Sequence, residues 1–422
     1  MTSMFFGACM SVCITPYVIT TIMKEFNASI FQIALIPVII QASGFLGLPM
    51  AILCNRFNPK TASIFLYSLA RTFLFVFILV FLYQDSTGDK ASVFLLTAYS
   101  LMGVLGASAV GLTNSWFKQV IPENTQATIL GRRNALGSLV ICGLTPVIGL
   151  AMTKHNLVGL DKHSLYFFMI SFALVVGYID LYFLTKVQGC PAIGKRGLSE
   201  ILREVKSICM NRKIWNVSTI SVIANSSALI IIPFVILLYY DLGMNEFMVG
   251  IITAISMLGV AVGSITGGYF SDRQLIKQVF VYSSALSAIT QLFLLGLTIA
   301  VFSRPMHPVA ICALTAAPAF LMTFAQSCVQ TAHIKYTYFT VKDASSIAFA
   351  FIAFVRNLVI LFILSISANL GALLARRSDI LCNYLWNGWH YTQVLLLGSI
   401  VIGVLSCIYL QRANLYQENA YA

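Results

Sequence analysis

The sequence predicts an all-α, polytopic membrane protein of about twelve spans, and three observations carry that prediction. Of 422 residues, 59% are hydrophobic and only 9% are charged, whereas a soluble domain carries about 25% charged residues. Mean hydropathy is +0.88, which leaves too little polarity to cover a water-facing surface. Apolar runs of about 20 residues recur along the whole chain, each long enough at about 1.5 Å per residue to cross a hydrocarbon core of ~30 Å. Strands of a membrane barrel would instead be segments of about ten residues alternating apolar and polar, and the sequence has none.

In chain order the spans are predicted at 2–23, 31–54, 63–83, 92–115, 135–153, 164–185, 214–240, 247–270, 278–302, 308–330, 346–374 and 391–411. The first starts almost at Met1, with no Lys or Arg before it and no small-residue cleavage site, so it reads as a span and not as a signal peptide. Span three carries Arg71 and span six Asp180; span four has Gly103, Ala107 and Gly111, and span eight Gly263 and Gly267, spacings that let helices approach closely. Pro16, Pro37, Pro146, Pro233 and Pro318 interrupt spans, either kinking them or tolerated by their neighbours.

The longest polar stretch, Lys186 to Lys213, divides the chain into 1–185, a linker at 186–213, and 214–422. Within it SEILREVKSI has charged and apolar positions at helical spacing, which fits a surface amphipathic helix and fits a solvated basic linker equally well. The net charge of +12 is distributed by side: alternate loops hold 17 Lys and Arg on one set and 7 on the other, with Arg71 and Arg356 inside spans. By the positive-inside rule the richer side is cytoplasmic and holds both termini, in a bacterial inner membrane or a eukaryotic plasma or organelle membrane.

Two segments resemble each other across the halves. Span two ends in GLPMAILCNRFNPK and span eight in GSITGGYFSDRQLIK, each a glycine-bearing helix followed by a short basic turn. Both resemble the loop motif of the major facilitator superfamily, roughly G-x-x-x-D-R-x-G-R-R/K. Gly268, Asp272, Arg273 and Lys277 match in the second copy; the first keeps Arg56 and Lys60 but has Asn55 for the acid and Asn58 for the glycine. The segment WFKQVIPENTQATILGRRNALG, with Trp116, Pro122 and Gly131-Arg132-Arg133, is similar to that superfamily's turn between spans four and five. The resemblance implies two pseudo-symmetric six-helix bundles and alternating-access movement of a small organic solute, by secondary active or facilitative transport. A receptor or assembly protein that kept the fold is the alternative. It implies a gating role for Asn55, Arg56, Lys60, Asp272, Arg273 and Lys277; an acid ending one helix can meet a neighbouring helix N-terminus while the cations bridge to carboxylates or carbonyls.

Ionisable groups inside a span cost roughly 2.5–3.5 kcal/mol on insertion scales. Arg71 and Asp180 lie at matching depth in antiparallel spans, which predicts an ion pair, structural or proton-coupling. Arg356, followed by Asn357, has no acid at its depth and is expected to face a wet cavity, a carbonyl cluster or an anion. The resemblance assigns spans one, four, seven and ten to the central path, where Thr15, Asn114, Asn225, Gln326 and Gln330 join Arg356 and Asn357 as candidate solute contacts; inter-helix hydrogen bonding is the other reading. No carboxylate lies in those four spans, so facilitated transport or exchange with a counter-solute stands level with coupling to protons. No phosphate-cradling glycine loop is present. His155, His163, His307, His333 and His390 fall in predicted loops or at their edges, and Cys9, Cys13, Cys54, Cys142, Cys312, Cys328 and Cys407 read as free thiols. No enzyme activity, metal, cofactor or nucleic-acid partner is expected.

Overall fold

A computed structural model describes residues 2–54, 57–83, 90–122, 125–154, 161–187, 198–304, 306–341, 345–376 and 391–413. Among them eleven helices are long and apolar enough to cross a membrane. The remaining position, span two, is helical in three consecutive pieces, Ile30–Ala42, Ser43–Leu46 and Gly47–Cys54. Large apolar side chains such as Phe75, Phe172, Leu292, Phe362 and Leu405 point outward and are exposed. In water such a surface would aggregate; against lipid it is the expected exterior.

Three helices run well past their apolar stretches. Span four is Ala91–Val120, span five Gln126–Thr153 and span ten Pro308–Thr340. Hydropathy marks where lipid begins and ends, while the helix continues for as long as its hydrogen bonds are satisfied, so the sequence boundaries fell short at these ends. One consequence is a correction: His333, expected at a loop edge, is buried inside the helix of span ten.

The prolines divide into two groups. Span one stops at Cys13 and resumes at Pro16–Glu25, with Thr15 extended at φ −60°, ψ 153°. A residue before proline is pushed out of the helical region, and proline has no N–H to continue the ladder. Span seven breaks at the matching place, from Arg212–Ile231 through a tight turn at Ile232–Phe234 to Val235–Asp241. Pro146 and Pro318 instead sit within continuous helices. The first span of each half is therefore jointed at a proline.

Small residues set the helix spacing. A methyl placed on Gly259 or Gly263 would lie 2.4 Å from the carbonyl oxygen of Phe320 or Phe324, and one on Gly267 2.8 Å from the Cα of Cys328. Spans eight and ten thus touch backbone to backbone. Hydroxyls stitch the same seam, with Ser264 and Ser327 2.6 Å apart and Thr323 donating to the Ser256 carbonyl at 2.7 Å. Spans seven, nine and twelve are joined by Ser227 with Ser287 at 3.2 Å and Ser226 with Ser406 at 2.8 Å.

Arg71 and Asp180 meet in the first half. The Arg71 guanidinium pairs with Asp180 Oδ2, and Ser3 on span one donates to Oδ1 at 2.5 Å. Both charged residues are 7% exposed, so the pair is enclosed by protein. Residues Leu198–Met210 of the polar stretch form a helix that buries Ile201 and Ile208 and exposes Arg203 and Lys206, the surface helix rather than the solvated linker.

Candidate functional site

The halves meet along spans five and eight, and a set of polar contacts closes each end. At the basic end span five begins without help from its own cap, because Thr125 makes no side-chain capping bond. Asp272, the last residue of span eight, supplies it from the other half. Its Oδ2 accepts from the Thr128 backbone N–H at 3.0 Å and from the Thr128 hydroxyl at 2.6 Å, and Oδ1 lies 3.0 Å from Lys335 Nζ on span ten. A carboxylate at a helix N-terminus satisfies an orphan donor and the positive end of the dipole together. Beside it Lys118 of span four is buried and donates to the carbonyls of Tyr338, at 3.1 Å, and Val341.

At the opposite end the jointed spans meet. Tyr17 donates to the Glu246 carbonyl at 2.6 Å, Thr21 and Tyr240 share a hydrogen bond of 2.9 Å, and Lys24 Nζ sits 3.7 Å from the Tyr240 ring centroid. Between the two ends, Ser11, Ile14, Thr15, Pro16, Tyr99 and Gly103 help line a cavity of about 240 Å³ at the joint of span one. Its size suits a small solute more than a drug-sized one. Tyr99 reaches the Ile14 carbonyl freed at the joint, at 3.5 Å.

The candidate residues separate on inspection. Thr15 lines that cavity, but its hydroxyl also caps the outer helix, accepting from Val18 N–H at 3.4 Å and donating to the Val12 carbonyl at 3.2 Å. Asn225 spends its amide on the Ser221 carbonyl one turn back, at 3.1 Å. Asn357 is buried against span two, so close that a methyl on Gly44 would lie 1.8 Å from its Nδ2. Asn114 is half-buried, and Gln330 is exposed. Arg356 is half-buried with its Nε enclosed and without a hydrogen-bond partner, and Gln326 Nε2 is in the same condition.

Of the gating set, Asp272 spans the halves. Lys60 donates to the Thr185 and Val187 carbonyls at 2.8 and 2.6 Å, tying span three to span six inside the first half. Arg273 lies 4.1 Å from the ring centroid of Tyr269 on its own helix, and Lys277 is half-buried in the first turn of span nine. Asn55 and Arg56 lie outside the described residues. Sequence reasoning missed Thr128, Lys335, Tyr17 and Tyr240. Each is an ordinary residue whose importance comes from what faces it, and only the proline joints hinted at the outer pair.

A prediction follows from the Asp272 contacts. Asp272→Asn removes charge-assisted bonds worth about 1.5–3 kcal/mol and is expected to shift the closed basic end toward opening by about tenfold. Leu130→Cys, buried at that end, should then react correspondingly faster with a membrane-impermeant maleimide. Equal rates in the two backgrounds would mean that Asp272 does not hold this end.

Comparison with known proteins places these features in a family context. The family model described as Major Facilitator Superfamily matches residues 1–364. Among solved structures, a D-xylose–proton symporter superposes with a TM-score of 0.66 at 14% identity, covering 97% of this chain and 95% of that one. The xylose transporter XylE from E. coli, in a partially occluded inward-open conformation, gives 0.66 at 11% identity with the same coverages. At such identities the likeness is one of fold. No curated protein matches in sequence.

Proposed function

The chain belongs to the Major Facilitator Superfamily, and from that premise we propose that it carries a small organic solute across a membrane by alternating access, with residues 1–185 and 214–422 as the moving units and 186–213 as their linker. One observation carries this reading: the contacts that join the halves include, at each end, polar bonds that can break individually, such as Asp272 with Thr128 and Tyr17 with Glu246. Opening one set while keeping the other exposes the path to one side at a time. The charge asymmetry of the loops supports a cytoplasmic basic end with both termini inside. No enzymatic role is proposed.

The solute is an anion in this reading. Arg356 is half-buried, its Nε is enclosed without a hydrogen-bond partner, and no acidic partner for it is seen among the described residues. An Arg fork can hold a carboxylate or phosphate through two parallel bonds, whereas Lys offers a point charge. Gln326 offers a second enclosed donor. Protons and a counter-solute are the two coupling partners that fit.

The test is flux into liposomes bearing the purified protein, with solutes chosen by thermal stabilisation across sugars, amino acids, organic anions and drugs. Arg356→Lys should weaken binding of the stabilising solute by about tenfold, and Arg356→Ala by more, with the folded protein retained. Unchanged affinity in both variants makes Arg356 structural. If no solute moves although one binds, the receptor alternative takes over.

A further inference from the structure

We propose that helix Leu198–Met210, together with the first turn of span seven, is a docking surface for the phosphate groups of anionic lipids at the basic end of the molecule. The helix is about 20 Å long, and only Asn211 separates it from Arg212, where span seven begins. Six Lys and Arg fall within residues 195–213, a density that marks juxtamembrane binding of anionic lipid. Among the described residues of that stretch Arg203, Lys206, Arg212 and Lys213 are exposed, against one exposed carboxylate, Glu200. The other acid, Glu204, is half-buried and turned toward span eleven.

The basic face is held in place from behind. Ile201 and Ile208 are buried in an apolar cluster shared with Ile347 and Phe351 of span eleven. Glu204 Oε1 accepts from the Ser345 hydroxyl, whose oxygen in turn accepts from the Ala348 N–H at 3.1 Å and caps span eleven. Trp215 of span seven donates to the Cys209 carbonyl at 2.7 Å, and its ring meets Phe351 edge-on with centroids 5.6 Å apart. With positions 201, 204 and 208 turned inward, positions 202, 206 and 210, each one turn from the next, line the outer face.

Leu202 and Met210 on that face are 56% and 80% exposed, with Lys206 between them and Arg203 beside them, and Trp215 is 42% exposed. Apolar side chains interleaved with Lys and Arg fit the headgroup boundary, where apolar groups and long stems sink toward the acyl chains while the cations reach phosphate. Tryptophan favours the same level. With the indole N–H spent on Cys209, the exposed part of the ring presents carbon to lipid. A zwitterionic headgroup offsets its phosphate with its own cation, whereas an anionic one leaves that charge to the protein, so the surface prefers the anionic class. An acidic protein would match the cations but gives no reason for an exposed Trp where span seven enters the bilayer.

The experiment is quenching of Trp215 fluorescence in the full-length protein in phosphatidylcholine liposomes, with the Trp215 signal taken as the difference between wild type and Trp215→Phe. Phosphatidylglycerol or phosphatidylcholine with brominated acyl chains is added at the same low mole fraction. Wild type is expected to enrich the brominated phosphatidylglycerol at Trp215 by at least about fivefold over the brominated phosphatidylcholine, and added salt should reduce the difference. The triple variant Arg203→Gln, Lys206→Gln, Arg212→Gln should be quenched equally by the two lipids while keeping the wild-type thermal midpoint in phosphatidylcholine. Lys206→Gln alone, a single change at an exposed position, should lower the preference and keeps the test open if the triple variant does not fold. Equal quenching of wild type by the two lipids overturns the proposal, and so does a preference that folded variants retain in full. If wild type shows no lipid preference yet binds polyglutamate, and the triple variant does not, the surface belongs to an acidic protein partner. None of these outcomes requires a solute to move, so loss of the transport reading and loss of this one are told apart.

Discussion

Neutralising one member of the Arg71–Asp180 pair is expected to destabilise the protein by about 3–5 kcal/mol, whereas replacing both by apolar residues of similar volume restores most of the loss. The pair is enclosed by spans one, three and six, with Ser3 on one carboxylate oxygen. Arg71→Met leaves a buried carboxylate and Asp180→Leu a buried guanidinium, each uncompensated. The double variant leaves neither. Thermal midpoints of the two single variants and the double variant in detergent measure the cycle. Additive losses would show that the two groups do not stabilise each other. The same set decides between the two roles left open by the sequence: a double variant that still accumulates solute against a gradient makes the pair structural, and one that only equilibrates solute makes it part of energy coupling.

Gly131→Val is expected to abolish transport by a different route. Gly131 on span five faces the main chain of span eight across the boundary between halves, and a methyl there would lie 2.5 Å from the Ser264 carbonyl oxygen. Neither backbone can yield without separating the spans, since Gly268 lies as close to the Ala127 carbonyl one turn away, at 2.8 Å for its own added methyl. The basic end should stay open, turnover should fall by about a hundredfold or more if closure costs about 3 kcal/mol, and Leu130→Cys should react with maleimide at its maximal rate. Gly131→Ala is the milder companion and should show an intermediate effect. Full transport by Gly131→Val would mean that these spans need not touch during the cycle.

The hydrophobic spans and their order were legible because a bilayer imposes a length and a polarity that a hydropathy pattern reports directly. The depth match of Arg71 and Asp180 was legible for a related reason: antiparallel spans of known length convert sequence position into depth. The role of Asp272 was half legible. Its motif suggested contact with a helix N-terminus, but the helix could be identified as span five only when the halves were docked.

Tertiary structure decided what each polar side chain faces. Asn225, Asn357 and Arg356 look alike in sequence, as polar residues within apolar spans, yet one serves its own backbone, one packs against Gly44 and one has an enclosed Nε without a partner. Helical periodicity fixes a residue's angle around its own axis, but the rotation of that axis against its neighbours comes from packing, here governed by glycines such as Gly263 and Gly131 that let main chains touch. His333 was misread for the same reason. Apolar length ends a span where lipid ends, while the helix continues into protein, and only the packed neighbours show that a histidine there is buried.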